Sequence, residues 1–253
     1  MDLQGKVAIV TGSSSGVGAA TAKLLASKGC HVTVNYASSA NAAKAVAAEC
    51  ESFGVGALVC QANVAEDSDC RKLVDETLAK FGRLDALVNN AGTTKFVPHH
   101  KLDGLEKDDF FDIYGVNVVG PYQMVRAAEQ ALRESGAASV VNVASIAGVR
   151  GIGSSIAYAA SKGALLTMTK SLARVMGPEI RVNAVCPGFI QGEWLEKGMG
   201  DNYHKFKDSL EAVTPLNLTC TAETVADSIV AFIEGHSVVT GQHIILDGGH
   251  YLV

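Results

Sequence analysis

The chain has 253 residues, a formal net charge of −5, 48% hydrophobic residues and 19% charged residues. This composition supports a sizeable buried core and excludes an intrinsically disordered chain. The acidic balance gives nucleic acid no basic surface to bind. No stretch reaches the roughly 18 apolar residues of a membrane helix, and the N-terminus lacks a signal-peptide pattern. We therefore expect a cytoplasmic protein with neither a membrane nor a nucleic-acid partner.

Short apolar runs alternate with helical patterns along the whole chain. The first half predicts strands at 7–10, 31–34, 57–60 and 86–88, and helices that end near Gly29 or span about 40–53 and 68–81. The second half predicts helices over about 109–134, 157–176 and 222–233, and strands at 139–143, 180–185 and 243–246. Gly115, Gly120 and Pro121 are expected to bend or interrupt the first of these helices.

This alternation predicts an α/β fold, because strands separated by helices form a parallel sheet covered on both faces. We expect one doubly wound domain over 1–253, with a sheet of about seven strands. The stretch 188–218 is the least regular, and we interpret it as a mobile substrate-covering segment. The six cysteines form no Cys-x-x-Cys pair and are expected to be reduced packing residues. His99 and His100 have no further ligands nearby, so no metal site is expected.

A glycine-rich turn links the first predicted strand to the first helix. It reads Thr11-Gly12-Ser13-Ser14-Ser15-Gly16-Val17-Gly18. Glycines at such a turn let backbone N–H groups approach a pyrophosphate, whose negative charge the helix N-terminus also favours. The spacing G-x-x-x-G-x-G is not that of a P-loop. The order strand, turn, helix indicates a dinucleotide site, although glycines among serines also suit an ordinary loop.

The end of the second strand bears on the choice of cofactor. Sites restricted to NAD usually carry an acid there, which binds the ribose hydroxyls. Here the chain reads Val34-Asn35-Tyr36-Ala37-Ser38-Ser39, and no acid occurs between Gly18 and Glu49. Ser38 and Ser39 are placed to bind a 2′-phosphate, so we favour NADP(H), with NAD(H) as the other choice. Against this stand the lack of an arginine and the alternative that both serines only cap the next helix.

Tyr158 and Lys162 lie four residues apart at the start of a predicted helix, so they share one face. An ammonium beside a phenol favours the phenolate and lowers the tyrosine pKa from about 10, as general acid–base catalysis requires. Ser145 ends the preceding strand, at the sheet edge where ligands bind, and its hydroxyl is placed to donate to a carbonyl oxygen. A Y-x-x-x-K pair alone is more often plain surface, so the prediction depends on the combination with Ser145.

Together these residues resemble the short-chain dehydrogenase/reductase family over essentially the whole chain. The resemblance also includes Asn89-Asn90-Ala91-Gly92, Asn117, Pro187-Gly188 and Leu246-Asp247-Gly248-Gly249. It implies a Rossmann-like domain and an NAD(P)(H)-dependent oxidoreductase that interconverts a carbonyl and a secondary alcohol. The overall pattern is most similar to 3-oxoacyl-carrier-protein reductases and to ketone or sugar dehydrogenases. Because members are commonly tetramers, a homotetramer is expected.

The resemblance implies a role for each residue. Tyr158 would protonate the carbonyl oxygen as hydride arrives, and Ser145 would hold and polarise that oxygen. Lys162 would bind the nicotinamide ribose and lower the Tyr158 pKa, and Asn117 would hold a water of a proton relay. The cofactor would contact Gly12, Ser14, Ser15, Gly16, Val17, Gly18, Tyr36, Ala37, Ser38, Asn63, Val64, Asn90, Ala91, Gly92, Tyr158, Lys162, Pro187, Gly188 and Ile190.

Two positions depart from the family pattern, and the substrate stays open. Asn63 stands where an aspartate near the adenine is common, and Gly192 stands where a hydroxyl usually contacts the carboxamide. We expect a small carbonyl or alcohol substrate; an acidic carrier protein would favour a basic docking surface, which the net charge does not suggest. The alternatives are a non-catalytic dinucleotide-binding sensor or scaffold, and an isomerase, dehydratase or epimerase that oxidises its substrate transiently.

Overall fold

A computed structural model describes all residues from Met1 to Val253 and contains one seven-stranded sheet. Its strand order is β3-β2-β1-β4-β5-β6-β7, and every neighbouring pair is parallel. The predicted doubly wound α/β fold is confirmed. The strands are β1 Val7–Val10, β2 His31–Tyr36, β3 Ala57–Gln61, β4 Ala86–Asn89, β5 Ala138–Val143, β6 Ile180–Pro187 and β7 His243–Leu246.

Ten α-helices accompany the sheet, and none is both long enough and apolar enough to cross a membrane. They are α1 Gly16–Ser27, α2 Ala40–Glu51, α3 Asp67–Phe81, α4 Lys107–Tyr114, α5 Gly120–Glu134, α6 Ala147–Arg150, α7 Ile156–Met176, α8 Glu193–Met199, α9 Tyr203–Val213 and α10 Ala222–Glu234.

Two large apolar cores lie on opposite faces of the sheet. In β1, Ala8 and Val10 join the core formed with α1, α2 and α10, whereas Val7 and Ile9 join the core formed with α3, α5 and α7. Successive side chains of a strand point to opposite faces. Because both faces are covered, β1 is apolar at all four positions, as expected for a strand buried on both sides. All six cysteines are free and buried, as predicted.

The predicted long helix over 109–134 begins at Lys107, and its middle is a π-helical segment, Gly115–Val119. The chain therefore stays helical through the glycines, and the expected interruption takes the form of a widened turn. Pro121 directly follows the widened turn, and because proline has no N–H to donate, it suits a place where the regular hydrogen-bond pattern of the helix is already interrupted.

The expectation of irregular structure over 188–218 is wrong, because this segment contains α8 and α9. Helix α8 has no buried residue, and only Tyr203 is buried in α9. Helix α8 therefore has no buried face from which a helix could be predicted. Helix α9 does carry apolar residues at helical spacing, namely Tyr203, Phe206, Leu210 and Val213, and this spacing is itself typical of a helix. Helix α6 was also missed, because its single turn is too short for any period to be visible.

Candidate active site

The site is built where the order of the strands reverses, between β1 and β4. In doubly wound sheets this reversal opens a crevice outside the carboxyl ends of the strands. Here the turn after β1 is bound to the turn after β4. The Asn90 amide Nδ2 donates to the carbonyls of Thr11 and Gly12 at 2.9 and 3.0 Å. In return, Thr11 Oγ1 accepts the N–H groups of Asn90 and Ala91, both at 3.0 Å.

The glycines of the turn after β1 serve two purposes: two of them allow close packing, and the third leaves space open. A Cβ added to Gly18 would lie 2.5 Å from Asn90 Nδ2, and one added to Gly12 would lie 2.9 Å from Ala91 Cα. These two glycines therefore allow the turns to approach each other. Gly16 has φ +54° and a Cβ there would meet nothing within 4 Å, so the space above the α1 N-terminus is open. That bare turn fits a pyrophosphate.

The end of β2 offers hydroxyls rather than a carboxylate. Asn35 is buried and structural, because its Oδ1 accepts the Gly12 N–H at 2.9 Å while its Nδ2 donates to the Ala62 carbonyl at 3.0 Å. Ser38 and Ser39 are exposed. Ser39 occupies the N-cap position of α2 without a side-chain bond to the helix. The alternative that both serines cap this helix is therefore wrong for Ser39.

Tyr158, Lys162 and Ser145 meet at the carboxyl edge of the sheet. Tyr158 and Lys162 lie in the first turns of α7, whose N-cap Ser155 accepts the Tyr158 N–H at 3.2 Å. The Lys162 Nζ lies 5.6 Å from the centre of the Tyr158 ring and donates to the Val143 carbonyl at 2.8 Å. Ser145 follows the end of β5, and its Oγ accepts the Ala147 N–H at 3.1 Å.

Asn117 lies in the π-helical segment and joins two parts of the site. Its Oδ1 accepts the Thr93 N–H at 2.8 Å, and its Nδ2 donates to the Thr93 carbonyl and to Ser161 Oγ, both at 3.0 Å. Ser161 Oγ in turn donates to the Tyr158 carbonyl at 2.7 Å. The asparagine thus connects the turn after β4 with α7. Single π-helical turns occur often at functional sites.

The pKa of Tyr158 differs from the sequence-based prediction. Burial raises the pKa of Tyr158 to about 12, an effect that the neighbouring Ser145 hydroxyl partly opposes. Burial also lowers the pKa of Lys162 to about 8, although the nearby Cys186 acts in the opposite direction. The predicted lowering of the Tyr158 pKa is therefore wrong for the polypeptide alone. The loss of hydration of the phenolate dominates there.

The family model described as "Enoyl-(Acyl carrier protein) reductase" matches residues 12–251. The chain belongs to the short-chain dehydrogenase/reductase family. This membership confirms the resemblance inferred from the motifs. As a short-chain dehydrogenase/reductase, the protein is an NAD(P)-dependent oxidoreductase acting on carbonyl or alcohol groups.

Relatives of this short-chain dehydrogenase/reductase align with almost its full length. A Streptomyces violaceoruber protein assigned as ketoacyl reductase 2 of the granaticin polyketide synthase is 42% identical, covering 98% of this chain and 96% of its own. A 3-oxoacyl-[acyl-carrier-protein] reductase of Staphylococcus epidermidis is 33% identical, covering 98% and 99%.

Solved structures of the family agree with the fold. One assigned to the family from Burkholderia xenovorans has a TM-score of 0.91 at 40% identity, covering 98% of each chain. An NAD⁺-bound xylitol dehydrogenase has a TM-score of 0.89 at 28% identity, covering 98% of this chain and 100% of its own.

The predicted cofactor residues of this short-chain dehydrogenase/reductase lie at the carboxyl ends of strands β1 to β6 or in the segments that follow them. Asn63 is exposed and its Oδ1 accepts the Ala65 N–H at 3.2 Å. Val64 is buried, and its carbonyl accepts Gln123 Nε2 at 2.9 Å. The Gly188 N–H donates to the Leu246 carbonyl at 2.7 Å, and Ile190 forms an isolated bridge with Cys220.

Ser161 and Tyr203 also shape the site of this short-chain dehydrogenase/reductase, although neither is part of a recognisable motif. Ser161 lies three residues after Tyr158, a spacing that places both on one helical face, but its bond to Asn117 depends on tertiary packing. The Gly192 N–H donates to Tyr203 Oη at 3.1 Å. No group of three or more His, Cys, Asp or Glu side chains is placed to hold a metal ion.

Proposed function

We propose that the protein reduces a ketone to a secondary alcohol with NADPH, or catalyses the reverse oxidation, with Tyr158 as the general acid/base. The observation that carries this proposal is the meeting of Tyr158, Lys162 and Ser145 beside the turn after β4, where a Cβ on Gly92 would lie 3.6 Å from Lys162 Nζ. The Lys162 ammonium lies 5.6 Å from the Tyr158 ring centre, and both side chains face the edge where dinucleotides bind. A phenol, an ammonium and a hydroxyl at one place can bind a carbonyl oxygen and transfer a proton to it.

The residues present fit a dinucleotide. The turn around Gly16 and the N-terminus of α1 would hold the pyrophosphate, and Asn90, Ala91 and Gly92 would lie along the chain of the cofactor. When bound, the nicotinamide supplies or accepts the hydride. Lys162 has N–H groups beyond the one that donates to Val143, and these would bind the ribose hydroxyls.

The pKa values suit the reducing direction. With its pKa raised to about 12, Tyr158 is a phenol at neutral pH and holds the proton that the carbonyl oxygen must receive. Ser145 would donate a second hydrogen bond to that oxygen and polarise it. Lys162, with a pKa near 8, is mostly an ammonium at pH 7. Asn117 would position water that returns the proton from solvent.

The neutral end of β2 supports NADP(H) over NAD(H). A carboxylate there would repel a 2′-phosphate, and this chain has none at Tyr36, Ala37 or Ser38. The hydroxyls of Ser38 and Ser39 are exposed near the N-terminus of α2, where an anion is favoured. NAD(H) remains the second candidate because no arginine accompanies the serines.

A carbonyl panel tested with each cofactor examines this proposal directly. We expect NADPH to be consumed in step with alcohol formed from at least one ketone, keto ester or keto sugar, with kcat/KM for NADPH above that for NADH. Absorbance at 340 nm and product chromatography measure both quantities. Conversion of a probe into an isomer of the same oxidation level without net NADPH loss would indicate an isomerase-type reaction. Tight NADPH binding without turnover of any carbonyl would indicate the sensor or scaffold.

A further inference from the structure

Two aromatic rings from separate segments meet beside the ring of the proposed proton donor, Tyr158. The Trp194 ring of α8 lies 6.2 Å from the Tyr158 ring and 5.8 Å from Phe96, measured between ring centres. The rings are tilted at 51° and 60°, a geometry that aromatic pairs favour. Trp194 is nevertheless 50% exposed and Phe96 is 37% exposed. We call these two side chains the aromatic wall, and it has surface left to bind another ring.

The charged side chains next to the aromatic wall are engaged with one another. The Lys95 Nζ, beside Phe96, lies 2.7 Å from Asp109, and the Lys197 Nζ lies 2.9 Å from Glu193, which precedes Trp194. Each of these two lysines is thus accompanied by a carboxylate, which offsets its charge and would disfavour an anion beside the wall. The aromatic wall therefore suits a neutral group better than a carboxylate or a phosphate.

Bare backbone supports the rings of this region. A Cβ added to Gly198 of α8 would collide with the Phe96 ring, which therefore lies directly against the helix backbone. Gly153 adopts φ +123°, and a Cβ there would come within 3.7 Å of Tyr158 Cδ1. Because Gly198 and Gly153 have no side chains, the surroundings of the Tyr158 phenol are formed by aromatic rings and backbone rather than by branched side chains.

We propose that the substrate carries a flat, uncharged ring within a few bonds of its carbonyl, and that this ring packs against Trp194 and Phe96. The inference deepens the proposed function and depends on it for the chemistry at the carbonyl. A substrate ring that contacts the half-exposed indole gains an aromatic interaction in addition to the burial of its apolar surface. This gain corresponds to a kcat/KM about three- to tenfold higher than for a substrate without an aromatic ring. A saturated ring of similar size gains the area alone.

A matched pair of ketones measures this preference. The probes are 4-phenylbutan-2-one and 4-cyclohexylbutan-2-one, whose carbonyls are equally unconjugated. We expect the phenyl ketone to have a kcat/KM about three- to tenfold higher in the wild type, a ratio near one in Trp194→Leu, and a retained preference in Trp194→Phe. Phe206→Leu is the control, because Phe206 of α9 contacts Phe189 rather than Tyr158, and it should keep the ratio. Equal kcat/KM values in the wild type, or a ratio unaffected by Trp194→Leu, would overturn the inference.

Fluorescence separates this inference from the proposed function. Trp194 is the one tryptophan of the chain, so its emission reports on the aromatic wall alone. We expect 4-phenylbutan-2-one, added to the enzyme with NADP⁺, to shift the emission maximum saturably, which collisional quenching does not do. A saturable shift without turnover of any ketone would overturn the proposed function and support ring binding. Turnover of both ketones without any shift would overturn ring binding alone.

Discussion

Lys162 is 3% exposed, and its one observed hydrogen bond goes to a backbone carbonyl rather than to a carboxylate. An ammonium buried without a counter-ion loses hydration, which explains why its pKa falls to about 8. The charge that would bind the ribose is therefore present below pH 8 and is lost as the pH rises through that value. Tyr158 keeps its proton throughout this range, because its pKa is about 12.

The pH dependence of the reduction should follow the loss of the proton from the Lys162 ammonium. We expect kcat/KM for NADPH to be level near pH 6–7 and to fall above about pH 8, because this parameter reports groups of the free enzyme. A rate profile between pH 6 and 10, with the NADPH dissociation constant measured at each pH, checks it. The dissociation constant should rise over the same interval. A profile that is flat to pH 10 would contradict the assigned role of Lys162.

The chemistry-bearing residues were predictable from the sequence, whereas their hydrogen-bond partners were not. Tyr158, Lys162 and Ser145 follow from spacing on a helix and from a position at a strand end. The bonds of Asn117 to Thr93 and Ser161 join residues far apart in the chain, and no local pattern reveals them. The pKa of Tyr158 was mispredicted because the sequence shows the neighbouring ammonium but not the burial of the phenol.

At the scale of elements, α6 and α7 approach each other so closely that a side chain is excluded between them. A Cβ added to Gly148 would lie 2.5 Å from the Lys162 carbonyl carbon and 2.6 Å from Gly163 N. Both neighbours are backbone atoms and cannot rotate away. This contact therefore fixes the helix that carries Tyr158 and Lys162 relative to the segment that follows Ser145.

Gly148→Ala should disturb both stability and activity. Forcing these helices apart costs about 1–3 kcal/mol, and displacing the Lys162 backbone should lower kcat/KM at least about tenfold. Urea unfolding and steady-state kinetics measure the two effects. Gly115→Ala is the matched control, because its Cβ would meet only Ala65 Cβ at 3.7 Å and helical alanine is favoured by up to about 1 kcal/mol. A Gly148→Ala protein as stable and active as the wild type would refute the role of this contact.

Strands and helices in which apolar residues recur at a regular spacing are predictable from the sequence, whereas short or exposed helices are not. The apolar strands and the amphipathic α7 carry their own signal, as does α10 with its capping box at Thr221. Helices α6 and α8 have too few turns or no buried face, so their structure depends on neighbours that a sequence pattern does not show. The π-helical turn at Asn117 likewise follows from packing rather than from composition.

At the scale of the whole molecule, exposed apolar side chains point to self-association. Phe111 of α4, Val119 at the end of the π-helical segment and Tyr122 of α5 lie on one helical stretch and are exposed. The C-terminal Leu252 and Val253 are exposed as well. Apolar groups clustered in this way are typical of surfaces that another chain covers. We propose that the protein is a homotetramer with these surfaces at its interfaces.

Light scattering after size-exclusion chromatography tests the assembly. We expect a mass about four times that of the 26.3 kDa chain, and a lower mass for Phe111→Asp, because a buried unpaired carboxylate destabilises an interface. Phe53→Asp is the control, since Phe53 is similarly exposed at the end of α2 and should leave the mass unchanged. A wild-type mass of one chain at micromolar concentration would exclude the tetramer.

The proposed reaction depends on Tyr158 as the proton donor, and Tyr158→Phe tests this role most directly. The substitution removes one oxygen and keeps the ring that packs against Trp194. We predict that kcat/KM for ketone reduction falls about 10²- to 10⁴-fold, the usual contribution of a general acid, while the NADPH dissociation constant and the thermal midpoint change little. A folded Tyr158→Phe protein that binds NADPH and reduces ketones at the wild-type rate would contradict the central claim.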